Sequence, residues 1–293
     1  MQKQKILAFF GHHKCASTFM LSFINGVCDL AGLKHAHYHS PKMWGYESDF
    51  NLDKAVDQNK LQFVSYTGAD LKFVGDVDRF RGVHIVRDPR DIAISSYFSH
   101  RNSHSTKGWP ELAEFRKDLI RLPKDEGILE NFKFTAKLPV DGWTTNLFDT
   151  MMEWNYNLEN IMEIRFEDLV QEPYQTILEM FEFLGLVESS EIYPSGLSSL
   201  WRYSIRKYLS RQINWLQPIS SLPAWVFLLI VYNNRFTKLA GGRKKGNEDK
   251  TSHYRKGVPG DWKNHFNERH RQYFKEHYND LLVKLGYESG TDW

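Results

Sequence analysis

The sequence is short of cysteine, of one-sided charge and of long apolar runs. It holds two cysteines, Cys15 and Cys28, too few for a disulfide framework or a structural zinc site. A reducing, cytoplasmic setting is the expectation. Lys plus Arg total 38 against 36 Asp plus Glu, for a formal net charge of +2. That balance argues against a general nucleic-acid binder, which needs a basic excess to neutralise phosphates. It leaves room for a small, local anion site. The apolar stretch Leu222 to Tyr232 falls short of the roughly 20 residues a membrane-spanning helix needs. The early run Ile6 to Phe10 is too short for a signal-peptide core and leads straight into His12, His13 and Lys14. Core-forming material is plentiful: 41% of residues are hydrophobic and 15% aromatic. This excludes a disordered or low-complexity chain.

Lys5 to Phe10 reads as a buried strand ended by Gly11. Thr18 to Leu30 reads as a helix, with Ser17 or Thr18 as its N-cap. Val83 to Val86 is a second buried strand. A helix follows from about Asp91 to His100, with Pro89 in its first turn. Ile161 to Phe166 is a third strand, and a helix from about Tyr174 to Leu184 is closed by Gly185. A further helix is expected near Glu111 to Leu122 and a last one over about Glu268 to Leu285. Strands alternating with helices predict an α/β fold with a mainly parallel central sheet flanked by helices. No internal repeat is visible, so one domain over 1–293 is expected. The glycine- and lysine-rich run Gly241 to Gly246 reads as a mobile loop.

Three segments carry the pattern of an anion site. The first, Gly11 to Thr18, lies between a strand and a helix. There, backbone N–H groups and the helix dipole favour negative charge. Lys14 adds a full charge, and Ser17 and Thr18 add hydroxyls. It is P-loop-like in position but is not a Walker A loop, because Lys14 stands ahead of the hydroxyl pair and no Gly-Lys-Ser/Thr is present. The bland alternative is an ordinary capped turn with a solvated lysine. The second segment places Arg87 at the carboxyl end of a strand, where ligands bind in open α/β sheets, with Ser95 on the next helix. Alternatively, Arg87 pairs with Asp88 or Asp91 and Ser95 is a packing residue. The third is Arg255-Lys256-Gly257-Val258-Pro259-Gly260-Asp261-Trp262-Lys263. Its cations precede glycines that let backbone approach an anion, and Asp261 is placed to cap a helix starting near Trp262. Its bland alternative is a solvated basic loop.

Together these motifs resemble the sulfotransferases that use 3′-phosphoadenosine 5′-phosphosulfate (PAPS), the cytosolic type and its bacterial relatives. His13-Lys14-Cys15-Ala16-Ser17-Thr18-Phe19 is similar to the family's 5′-phosphosulfate loop, usually Pro-Lys-Ser-Gly-Thr-Thr-Trp. Arg87 and Ser95 match the arginine and serine that hold the 3′-phosphate. Arg255-Lys256-Gly257 and Gly260-Asp261-Trp262-Lys263 match the late motif, and Arg165-Phe166-Glu167-Asp168-Leu169 resembles the Tyr-Glu-Asp-Leu segment. The resemblance implies PAPS as co-substrate, no metal, and in-line sulfuryl transfer to a hydroxyl or amine. It implies that Lys14 stabilises the leaving phosphate. Phe19 stands for the adenine-stacking tryptophan. Phe166 replaces a tyrosine.

The resemblance fails at the base. The family's Lys-Thr-His segment is replaced by Phe63 to Asp70, which has no histidine. A neutral imidazole is the best base for a hydroxyl near pH 7. His100 is the leading candidate, followed by His104, His12, His13 and Asp70. His35, His37 and His39 alternate as on a strand face and read as solvated or core residues. Residues 196–250 read as a helical or lid insertion. Within it, Leu222 to Tyr232 is a lid over an apolar or lipid-like acceptor, a membrane-surface element, or a core helix. The family's dimer motif is not matched after Lys263, which leaves the oligomeric state open. Two other functions remain: a nucleotide-dependent phosphotransferase, and a non-catalytic nucleotide-binding relative.

Overall fold

The computed structural model describes residues 5–40, 43, 51–140, 143–188, 205 and 221–293. Its first half builds the sheet. Strand β1 (Ile6–Gly11) leads into helix α1 (Ser17–Ala31), then β2 (His35–Tyr38), α2 (Leu52–Asn59), β3 (Phe63–Tyr66), β4 (Phe80–Val86) and α3 (Pro89–Phe98). Helices α4 (Pro110–Arg121) and α5 (Lys124–Ala136) come next, then a small antiparallel pair, β5 (Lys137–Val140) and β6 (Trp143–Asn146), and α6 (Leu147–Glu153). Strand β7 (Ile161–Arg165) returns to the main sheet, followed by α7 (Phe166–Gln171) and α8 (Pro173–Phe183). A two-residue bridge, β8 (Val187–Glu188) with β9 (Leu222–Pro223), precedes α9 (Ala224–Asn233), α10 (Phe236–Leu239) and the terminal α11 (Glu268–Lys284).

The main sheet has five strands in the order β2-β3-β1-β4-β7, and every neighbouring pair is parallel. The expected α/β class, a mainly parallel sheet flanked by helices, is what forms. Alternation along the strands splits the core in two. Phe9, Val83 and Ile85 join one apolar cluster with Phe23 and Ile24 of α1. Ala8, Phe10 and Phe80 join the other, with Tyr66 and Trp154. A strand buried on both faces needs such continuous apolar runs.

Several local expectations are corrected. Helix α1 has no side-chain cap from Ser17 or Thr18; its cap position is Ala16 in the left-handed region. Asp261 caps no helix, because its carboxylate is taken by cationic side chains described below. The Gly241–Gly246 run is tied down rather than loose. Arg243 donates to the carbonyls of Tyr254, Asn247 and Arg255, and Lys245 to that of Val170. Helix α9 turns Trp225, Val226 and Phe227 into the core against α8 and α1, leaving Leu229 and Tyr232 exposed. That is the core-helix reading of Leu222 to Tyr232. No helix among the described residues is long and apolar enough to cross a membrane. Most of the expected insertion from 196 to 220 lies outside the described residues.

Candidate functional site

A cavity of about 560 Å³ opens at the carboxyl ends of the central strands. Ligands of open parallel sheets collect there because loops and helix N-termini converge. From the opening loop His13, Lys14, Ala16, Ser17, Thr18 and Phe19 line it. Arg87, Ser95 and Phe166 continue the wall, and Arg255, Lys256 and Gly257 complete it. Three candidate site residues singled out from the sequence, Cys15, His100 and Asp70, are not part of the wall. Cys15 is fully buried, and burial pushes its thiol up to about 12, so it contributes backbone only. His100 is also fully buried, one side chain behind His13.

The opening loop is wound tightly. Lys14 and Ala16 have φ of 63° and 58°, and Cys15 between them does not share that hand. Alternating handedness turns successive amides toward one concave side, the geometry of an anion nest. The Ser17 hydroxyl and the Cys15 N–H both donate to the His12 carbonyl and close the loop. With no side-chain cap, the first turn of α1 presents its N–H groups to the cavity. The Lys14 ammonium donates to the Ser99 hydroxyl at 2.9 Å. Ser99 lies in a single π-helical turn, Ser99–Ser103, that extends α3; sequence reasoning missed it. Burial, with the Arg87 and Arg255 guanidinium groups nearby, lowers the Lys14 ammonium to about 7.

Arg87 leaves the end of β4. It donates to the Lys14 carbonyl at 3.1 Å and lies 4.1 Å over the Phe166 ring. Its approach to Asp91, the expected competitor, is 4.0 Å. Its Nε is buried without a partner, an unmet donor of the kind phosphate oxygens satisfy. Asp91 has another task. Its carboxylate accepts from the backbone N–H groups of Gly260 and Trp262 at 2.6 and 3.0 Å. That bond pair docks the late segment onto α3. Arg255 pairs with Glu248 and, at 2.6 Å, with Asp261, and its guanidinium covers the Phe98 ring. Lys256 also pairs with Asp261. Burial opposes ionisation of Asp261, but hydrogen bonds from His265, Lys256 and Asn264, with Arg255 alongside, hold its carboxyl far below the usual range.

The histidines fall into chains. His13 Nε2 meets His100 Nε2 at 3.0 Å, and His100 Nδ1 meets Asn131 Oδ1 at 2.8 Å. The Asn131 amide N–H2 donates to Ser96 and Thr135, which fixes its oxygen toward His100. His12 meets His84, which meets Glu163. His37 and His39, read from the sequence as solvated or core residues, instead line the cavity, as do His104 and His253. His37 contacts the Thr67 hydroxyl at 2.9 Å. Asp70 is off the wall and accepts from the Lys72 N–H. Among the described residues, Glu248, Asp261 and His265 hold metal-ligating atoms within 4.8 Å of one another. Arg255 and Lys256 already occupy those carboxylates.

Residues 77–210 match the sulfotransferase domain model. Mouse (Mus musculus) sulfotransferase 2A6 is 22% identical over 202 residues, covering 69% of this chain and 56% of that protein. Mouse sulfotransferase 2B1 is 26% identical over 204 residues, covering 68% of this chain and 47% of that protein. The chain is similar to the sulfotransferase family over that stretch. The matched stretch spans about half the length of these relatives. In fold, the chain is similar to mouse sulfotransferase SULT7A1 complexed with PAP, with a TM-score of 0.55, 16% identity, and coverage of 96% and 85% of the two chains. It is also similar to retinol dehydratase in complex with androsterone and inactive cofactor PAP, with a TM-score of 0.52, 14% identity, and coverage of 94% and 80%.

Proposed function

We propose that this protein is an enzyme that transfers a sulfuryl group from PAPS to a hydroxyl or amine of a small-molecule acceptor, in line and with release of adenosine 3′,5′-bisphosphate (PAP). One observation carries the reading. Lys14, Arg87 and Arg255, from three distant segments, stand on the wall of one cavity, near enough for both arginines to lower the Lys14 ammonium. A ligand with anionic groups at two ends satisfies that arrangement. The two fold relatives named above, both holding PAP, support it.

In this reading the Gly11–Thr18 loop and α1 N-terminus hold the phosphosulfate. Lys14 sits on the bridging oxygen, where charge builds as the S–O bond breaks. Arg87, Ser95, Arg255, Lys256 and Gly257 take the 3′-phosphate, with Phe19 and Phe166 along the adenine. His100 is enclosed behind His13, so its route to an acceptor runs through that side chain. Leu21, Leu138, Leu147, Val231 and Leu239 give the cavity an apolar side suited to a lipid-like acceptor. The protein works as one domain over 1–293 with an insertion at about 196–250. It operates in the cytoplasm, without nucleic acid, and needs no metal.

Calorimetry with PAP, ADP and ATP tests the assignment. PAP binding at least tenfold tighter than either is expected. Preference for ATP with magnesium-dependent turnover would establish a phosphotransferase instead. Tight PAP binding without sulfate transfer to any acceptor would establish a non-catalytic relative.

A further inference from the structure

We propose that His12 is the general base for hydroxyl acceptors, held in its proton-accepting form by the positioning residues His84 and Glu163. The proposal rests on the sulfuryl-transfer reading above.

Three adjacent strands build this device. Glu163 on β7 stands directly opposite His84 on β4 in the parallel register. His84 is in turn the register partner of Phe10 on β1. His12 follows β1 two residues beyond Phe10, so it projects to the same face as Phe10 and His84. The side chains meet in a row: His84 Nδ1 to Glu163 Oε2 at 2.7 Å, and His84 Nε2 to His12 Nε2 at 2.9 Å. Trp154 stacks on His84 at 4.0 Å and donates its Nε1–H to the other Glu163 oxygen at 2.9 Å. The whole row is clamped.

The row also sets the protons. A carboxylate only accepts, so His84 carries its proton on Nδ1 and leaves Nε2 bare. That bare nitrogen accepts from His12 Nε2–H. His12 Nδ1 is left as a lone pair. It is buried without any partner, while His12 itself lines the cavity. Burial first, and His84 second, keep His12 neutral, which is the form that accepts a proton.

The His13–His100 chain is built alike but ends differently. Its terminus is the Asn131 amide, which cannot compensate a positive charge. When an imidazolium forms on His12, Glu163 stabilises it through His84, the logic by which a carboxylate supports a catalytic histidine. In the step, the acceptor O–H proton passes to His12 Nδ1 as the acceptor oxygen bonds to sulfur. The S–O bond to the bridging oxygen breaks, and its electron pair leaves with PAP. The proton returns to solvent after the product departs.

Two acceptors of different acidity test the role. 4-Nitrophenol is partly ionised near neutral pH and needs little help from a base, whereas benzyl alcohol must give up a proton in the transition state. His12→Phe is expected to cut transfer to benzyl alcohol by ~10²–10⁴-fold and transfer to 4-nitrophenol far less. Glu163→Gln is expected to show the same selectivity with a smaller loss. Equal losses on both acceptors, or none on benzyl alcohol, would overturn the proposal. Nitrogen-15 NMR of the imidazoles gives a readout that needs no acceptor. His12 in the Nε2–H tautomer is expected in the wild type, and the Nδ1–H tautomer would overturn the assignment. Where the wild type turns over neither acceptor, that tautomer decides. A wild-type protein that binds no PAP overturns the sulfuryl-transfer reading itself, and this proposal with it.

Discussion

The two charged sides of the cavity hold their cations differently. At the opening loop the hydrogen-bond partners are neutral, and the ion pair there, Arg87 with Asp91, is long at 4.0 Å. Lys14 rests on the Ser99 hydroxyl, and Arg87 rests on the Lys14 carbonyl and the Phe166 ring. At the late segment the partners are carboxylates, with Arg255 and Lys256 sharing Asp261 and Arg255 also holding Glu248. The first side is less compensated, and burial, with the Arg87 and Arg255 guanidinium groups nearby, loosens the Lys14 proton. The second is compensated and already shaped. An anion arriving at the loop meets an ammonium that has partly shed its proton, so that side adds less to resting affinity than to stabilising charge that develops during transfer. One arriving at the late segment meets cations already held in position by carboxylates, so that side grips the resting ligand.

The largest test of this contrast is Lys14→Ala. Turnover should fall by ~10²–10³-fold, the scale for removing one donor to developing charge, with PAP affinity changed only modestly. Single-turnover kinetics and calorimetry on the same variant check both halves. Arg255→Ala should act the other way and weaken PAP binding by ~1.5–3 kcal/mol. Matching losses of affinity in the two variants would erase the distinction.

Gly257→Ala probes the shape of the late segment. Gly257 has φ of 69°, and an added Cβ would stand 2.4 Å from the Phe236 ring. A loss of about 1–2 kcal/mol from the backbone alone is expected, plus displacement of Phe236 from the cavity wall. Thermal unfolding would show it; an unchanged midpoint would mean the segment is not held there.

The pH response should separate the sides further. The unoccupied Lys14 loses its proton at about 7, against an ordinary 10.5. A bound phosphate favours that proton, so PAP binding takes up a fraction of one near pH 7. Affinity then falls as pH rises through that range, by a few-fold in all. Over the same interval the unfolded chain binds the extra proton, so the empty protein gains stability as pH rises. Calorimetry in buffers of different ionisation heat counts the proton, and Lys14→Ala should abolish the uptake. The smallest effect is expected for Glu248→Gln, which relieves Arg255 of one half-exposed competitor and should tighten PAP binding only a few-fold.

The cationic scaffold was legible in the residues because each part sits beside a strand end, a helix start or a glycine. Lys14, Arg87 and Arg255 needed no knowledge of long-range packing to be singled out. The histidine chains were not legible. His12 and His84, or His13 and His100, meet only because β1 and β4 lie side by side and α3 ends in a π turn. Nothing local announces those pairings. His100, the leading base candidate from the sequence, therefore stands behind the wall rather than on it. The capping role given to Ser17 failed for a related reason: its hydroxyl turns back to the His12 carbonyl, a contact set by the loop's left-handed residues. Asp91 read as a rival for Arg87, yet it docks a backbone segment from the far end of the chain.

The left-handed Lys14 and Ala16 have one more consequence. Residues with a side chain resist that conformation, at roughly 1–2 kcal/mol each, and glycine would accept it freely. Here the surrounding fold imposes the shape instead. The loop is consequently a mould set before casting: its amide directions belong to the resting protein, and the size of anion it welcomes is decided ahead of any encounter.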